Sequence, residues 1–120
     1  MQLLTKQMKE QISNTYPLYS QDGKGKEAIC ITKFFIANWT WYILEGNFEK
    51  DDFMMYGIVI NGISNEYGYV SLNEMESVNV HGFEIERDRY FENGNIHHAI
   101  HHDLGLSITI FSLPDTAFRR

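Results

Sequence analysis

Between Glu27 and Leu72 four β-rich runs, EAICITKFFI, NWTWYILEG, DFMMYGIVING and EYGYVSL, succeed one another with only short breaks marked by Asn, Gly or Asp. That spacing constrains the fold more than any other feature of the chain. Two parallel strands need a crossover of about a dozen residues or more between them, and these breaks leave no room for one. The runs must therefore pair as antiparallel neighbours. Several are apolar on both alternating sets of residues, as expected of central strands covered on part of each face.

Around this sheet the other segments have local signatures. Leu4, Met8 and Ile12 recur every fourth residue among Lys6, Lys9 and Glu10, the pattern of a short amphipathic helix with Thr5 as its cap. Pro17, Gly23 and Gly25 in polar company mark a loop leading into the sheet. In VSLNEMESV, Ser71 and Glu74 have capping-box spacing and Val70 and Met75 the staple positions, so a short helix should start at Leu72. FEIERDRYF alternates Phe83, Ile85, Arg87 and Arg89 against Glu84, Glu86, Asp88 and Tyr90, which predicts a fifth strand. GLSITIFSLP alternates again and ends at Pro114, which predicts a last, half-buried strand. The expected fold is α+β: a single domain over residues 1–120, with an antiparallel sheet of about five or six strands, an N-terminal helix on one face and a short second helix at its flank.

With 43% hydrophobic and 22% charged residues the chain has the composition of a soluble globular protein. Its single cysteine, Cys30, lies among apolar neighbours and reads as a buried free thiol, which suits a reducing compartment. The N-terminus lacks the apolar run of a signal peptide, and no stretch approaches the roughly 18 apolar residues that span a bilayer, so a cytoplasmic location is expected. The net charge of −6 is unevenly spread. Residues 1–33 carry five lysines against three acids, whereas residues 34–92 carry eleven acids against three bases. An acidic middle argues against direct nucleic-acid binding, which needs a basic footprint. It suits a surface that attracts basic partners or imitates a polyanion.

The pattern PLYSQ, KFF, NWTWY, F..YG.V, GY.SL.E.ESV and IERD.YF, in that order between about Leu3 and Phe91, resembles a small bacterial family known only as a domain of unknown function and common on plasmids, phages and integrative elements. The resemblance covers roughly three quarters of the chain. It implies an accessory protein of mobile DNA with a small α+β domain, and it supplies no catalytic residues. Relatives usually end soon after the last motif, so residues 92–120 are an extra C-terminal segment that holds four of the five histidines.

Three constellations carry candidate chemistry. In NIHHAIHHD, His97 and His101, and likewise His98 and His102, lie one helical turn apart and have chelating spacing. HHAIH differs from the zinc-protease helix HExxH at the glutamate that serves as base, which His98 replaces. Neither Asp103 nor His81 is convincingly placed as a third ligand, so an exposed polar segment with incidental chelation is the plainer reading. On a strand, Trp39 and Trp41 share one face as a platform for a base or a partner's side chain, with Tyr42 on the other face; the alternative is that these aromatics are core. In IERDRY, Glu86 and Asp88 would project together about 7 Å apart, opposite Arg87 and Arg89. Paired carboxylates can do acid–base work or hold magnesium, but such runs are more often solvated strand faces. DGKGK lacks phosphate-loop spacing and reads as a flexible turn. No GxSxG elbow is present.

These readings favour a non-enzymatic interaction module with no cofactor, acting on a host protein or one encoded by the plasmid or phage, such as a defence or DNA-processing component; a homodimer is compatible with them. The rival is a small-ligand or nucleotide binder, or weak hydrolase, that combines the tryptophan platform with Lys33, Arg87 or Arg89 as phosphate ligands. A metal-binding protein built on the histidine cluster is a third reading.

Overall fold

A computed structural model describes residues 2–62, 64–91 and 94–95. Helix α1 spans Lys6–Thr15, and the Thr5 side chain accepts the Met8 N–H at 3.1 Å, the cap expected of that threonine. The chain then runs through the Pro17 loop and a short 3-10 turn at Gly25–Glu27 into β1 (Ile29–Cys30) and β2 (Thr32–Ile36). Strands β3 (Trp39–Glu49), β4 (Asp52–Ile60) and β5 (Asn65–Ser71) follow, then α2 (Leu72–Glu76), β6 (Glu86–Arg87) and β7 (Gly94–Asn95). The main sheet has the order β5-β4-β3-β2-β6 with every neighbour antiparallel, and β1 pairs with β7 in a second, two-stranded sheet. The fold is the α+β arrangement expected, with helices α1 and α2 and a five-stranded antiparallel sheet. The last strand expected at 105–114 lies outside the described residues.

Both faces of the sheet are covered, which is why its strands are apolar on both alternating sets. Leu3, Leu4, Ile12, Phe34, Phe53 and Leu72 belong to one core cluster, under α1 and α2. Tyr42, Leu44, Tyr56 and Ile58 form the other with Ala28 and Cys30, and Leu18 and Phe91 pack against it. Removing a side chain such as Phe34 or Phe53 from water stabilises the fold by roughly 1.5–3 kcal/mol each. Cys30 is buried, and its thiol donates to the Thr32 carbonyl at 3.5 Å.

The second face is held by polar groups that strict alternation misplaces. In NWTWYILEG alternation puts Glu45 with Trp39, Trp41 and Ile43. A β-bulge between Ile43 and Glu45 leaves Leu44 without a partner on β4 and shifts the register. Glu45 therefore turns toward the 17–28 loop, fully buried, and its carboxylate accepts the N–H groups of Tyr19 at 2.8 Å and Gln21 at 2.7 Å. The Gln21 side chain, itself buried, donates to the carbonyls of Leu44 and Ile29 and accepts the Ile29 N–H at 2.6 Å. It stands in for a missing strand between β3 and β1. Asn47 accepts the Leu18 N–H at 2.7 Å and completes the clamp. Opposite the bulge, a Cβ on Gly57 would lie 2.0 Å from the Tyr42 carbonyl oxygen, so only glycine fits there.

Two segments depart from expectation. The fifth strand is only Glu86–Arg87, paired with Phe34 and Phe35 of β2. Its upstream half is spent on a tight turn: Val80 and Phe83 exchange both backbone hydrogen bonds around His81 and Gly82, whose φ values of 55° and 89° suit a primed turn, and Asn79 Oδ1 accepts the Gly82 N–H. Downstream, Asp88 is drawn to Lys33. At α2, Ser71 accepts the Glu74 N–H as expected. The carboxylate that completes this helix start is that of Asp52, which accepts from the Ser71 hydroxyl and from the Asn73 N–H.

Candidate functional site

Strand β3 places Trp39 and Trp41 on one face, as period two requires, with their rings stacked at 5.8 Å and 26°. Trp39, at the strand's start, is 43% exposed, whereas Trp41 is half-buried against the α-helical face of the core. Tyr42 points the other way and is 1% exposed within the second core cluster, so it presents nothing to a partner. The Val80–Phe83 turn rises beside the tryptophans. Val80 is 53% and Phe83 72% exposed, and with Ile36, Ile85, Trp39 and Trp41 they line a groove of about 700 Å³. Among the described residues no charged side chain lines it. One acidic residue shares its face: pairing of Trp41 with Val59 and of Val59 with Glu66 puts the exposed Glu66 on the Trp41 face, whereas Glu86, paired with Phe35, lies on the other face.

The 86–89 segment is not a carboxylate pair. Glu86 is exposed, while Asp88 accepts from the Lys33 ammonium at 3.0 Å and from the Tyr90 N–H at 3.0 Å. Burial pushes the Asp88 carboxyl up, but the hydrogen bond from Lys33 and the Tyr90 N–H outweigh it and hold the group below its ordinary 3.8. Lys33 also sits over the Phe91 ring, 5.9 Å from its centroid. The Arg87 Nε donates to the Leu3 carbonyl at 2.9 Å, which ties β6 to the N-terminus. Arg87 and Arg89 line a different cavity, of about 430 Å³, which shares no residue with the tryptophan groove. The expected union of the tryptophan platform with Lys33, Arg87 and Arg89 is therefore not made: Lys33 is engaged by Asp88, and the arginines line the other cavity.

His97, His98, His101 and His102 lie outside the described residues. Among the described residues no group of three or more His, Cys, Asp or Glu is placed to hold a metal ion. DGKGK is turn, with Gly23 and Gly25 at positive φ. Sequence reasoning missed Val80 as a groove residue and took Phe83 for a strand residue. The signal that could have found them is the His81-Gly82 dipeptide, a turn between two apolar residues.

A family model described as "Protein of unknown function (DUF2958)" matches residues 3–100. The chain belongs to this family. The match runs past Phe91, where the motif pattern ends, and takes in His97 and His98. Neither a curated protein nor a solved structure matches the chain at a significant level. Set on the fold, the quoted segments are tied to other parts of the chain: Gln21 of PLYSQ reaches β3, Lys33 of KFF pairs with Asp88 of IERD.YF, and Ser71 of GY.SL contacts Asp52. No helix of the described residues is long and apolar enough to cross a membrane.

Proposed function

We propose that the chain is a non-enzymatic interaction module of a mobile element, and that it receives an amphipathic, basic segment of a host protein in the Trp39–Phe83 groove. A defence or DNA-processing component is the class of partner that the resemblance suggests. The observation that carries this reading is the convergence of exposed apolar side chains: Trp39, Val80 and Phe83 border one groove. Scattered apolar residues on a surface need no explanation, but a contiguous patch rimmed by polar groups marks a docking site.

Charge supports the nature of the occupant. The groove has an apolar lining, and the residues 34–92 that contain it carry eleven acids against three bases. An apolar stripe flanked by lysine or arginine would bury its stripe between the tryptophans and Phe83 and set its cations against Glu66 and the net negative charge of the protein. A second copy of this chain would bring the same net charge of −6 and be repelled, which favours a heterologous partner over a homodimer.

Both tryptophans of the chain line the groove, so intrinsic fluorescence reports its occupancy directly. A synthetic amphipathic Leu/Lys helix should give a saturable blue shift, and a Leu/Glu peptide of the same pattern should not. Phe83→Ser should weaken the response at least tenfold, about 1.4 kcal/mol. Equal responses to the two peptides, or an unchanged affinity in Phe83→Ser, would overturn the proposal. So would a bacterial-lysate pull-down in which parent and Phe83→Ser retain the same proteins in the same amounts.

A further inference from the structure

We infer that the cavity between α1 and the Arg87–Phe91 segment is a binding site for a small organic phosphate, with Arg89 as its principal unpaired cation. Its volume of about 430 Å³ falls within the range of ligand-sized clefts. Polar residues converge on it from two sides. Gln11, Thr15 and Tyr16 contribute from α1 and its end, and Thr32 of β2, Arg87 of β6 and Arg89 just beyond β6 from the opposite side.

The charge of this wall is opposite to that of its surroundings. Among the described residues Asp88 is its only acidic one, and its carboxylate is already occupied by Lys33 and the Tyr90 N–H. Among the described residues of this lining the two arginines are the charges with no ion pair, in a stretch that is otherwise strongly acidic. They differ in commitment. Arg87 spends its Nε on the Leu3 carbonyl, which fixes the base of the guanidinium while its terminal nitrogens remain to serve a ligand. Arg89, which is exposed, makes no hydrogen bond or ion pair with any described residue.

A carboxylate would satisfy one guanidinium. A phosphate monoester, with about −1.5 to −2 charge at neutral pH and three acceptor oxygens, matches two. Tyr16 and Phe91 lie in the same lining and offer aromatic surface to a flat organic body. The site shares no residue with the tryptophan groove, so it stands or falls separately from the docking proposal.

Calorimetry at constant ionic strength tests it, with adenosine 5′-monophosphate, adenosine and inorganic phosphate as probes. The nucleotide should bind saturably, inorganic phosphate should compete with it, and adenosine should give no heat. Arg89→Gln, at an exposed position with no contact to lose, should weaken nucleotide binding at least tenfold, whereas Phe83→Ser should leave it unchanged. No saturable heat from either phosphate at millimolar concentration would overturn the inference, as would binding that Arg89→Gln leaves intact.

Discussion

Gln21→Met tests whether a single side-chain amide closes the second face of the sheet. Methionine keeps the length and the unbranched shape of glutamine and removes its polar atoms. Three backbone groups then lose their partner: the Leu44 carbonyl at 2.7 Å, the Ile29 carbonyl at 2.8 Å and the Ile29 N–H at 2.6 Å. A buried group left unsatisfied costs about 1–3 kcal/mol. Ile29 is only partly buried and water can recover some of its loss, so the sum comes to roughly 3–5 kcal/mol. A small domain has about 5–15 kcal/mol in total, so this is a large share. Urea unfolding followed by tryptophan fluorescence should show the midpoint falling by roughly 2 M with the slope unchanged. Gln7→Met, the same exchange at an exposed position on α1, should stay within about 0.5 kcal/mol of the parent. Gln21→Glu, which sets an oxygen against two carbonyls, should be at least as damaging as Gln21→Met. A Gln21→Met midpoint indistinguishable from that of Gln7→Met would refute the reasoning, because the bridging bonds would then contribute nothing net.

Gly57→Ala should destabilise by about 3 kcal/mol or more in the same assay, because its Cβ would meet the Tyr42 carbonyl at 2.0 Å; a tolerated alanine would mean that the strand crossing is looser than described. The Asp88 carboxyl is held below its ordinary 3.8, so its contribution is fully present above that pH and is lost as pH falls through the lowered folded value. Asp88→Asn should therefore be less stable than the parent at pH 7 and lose less on acidification, and equal acid slopes would contradict this. Trp39→Ala should change stability by no more than about 1–2 kcal/mol, since the ring is already half in water, while abolishing peptide binding; a protein that fails to fold would show that Trp39 is structural. Zinc titration of His97→Ala/His101→Ala should give the same weak heats as the parent, and a lost stoichiometric site would establish specific metal binding.

What was legible in the sequence was local. The Thr5 cap, the Ser71 helix start and the antiparallel order follow from residues within a few positions of one another, and each is present. What was not legible depends on distant partners or on a single inserted residue. Strict alternation would continue the tryptophan face to Glu45, and the bulge at Leu44 reverses it. Gln21, in a polar loop, has the look of a solvated residue until β1 and β3 close around it. FEIERDRYF alternates as a strand should, yet pairing with β2 extends only to Phe34 and Phe35. On the site, the shared face of Trp39 and Trp41 was readable from period two. The opposing wall was not, because Phe83 reaches it through a turn and not through a strand.

The internal contacts also separate two kinds of motif residue. Gln21, Lys33, Ser71 and Asp88 are engaged by other parts of the chain, and even the exposed Tyr19 and Tyr69 hydrogen-bond each other through their hydroxyls at 3.1 Å. Trp39 stacks on Trp41 but leaves 43% of its surface in water beside Val80 and Phe83. Burial alone does not account for that arrangement, since a core aromatic would gain more by turning fully inward. Nor does the turn require it: His81 and Gly82 set the backbone geometry, and a polar residue at position 80 or 83 could exchange the same backbone hydrogen bonds. The turn's backbone hydrogen bonds thus do not require Val80 and Phe83 to be apolar, and the proposed docking would give that identity a use, since a partner's apolar surface would cover both side chains.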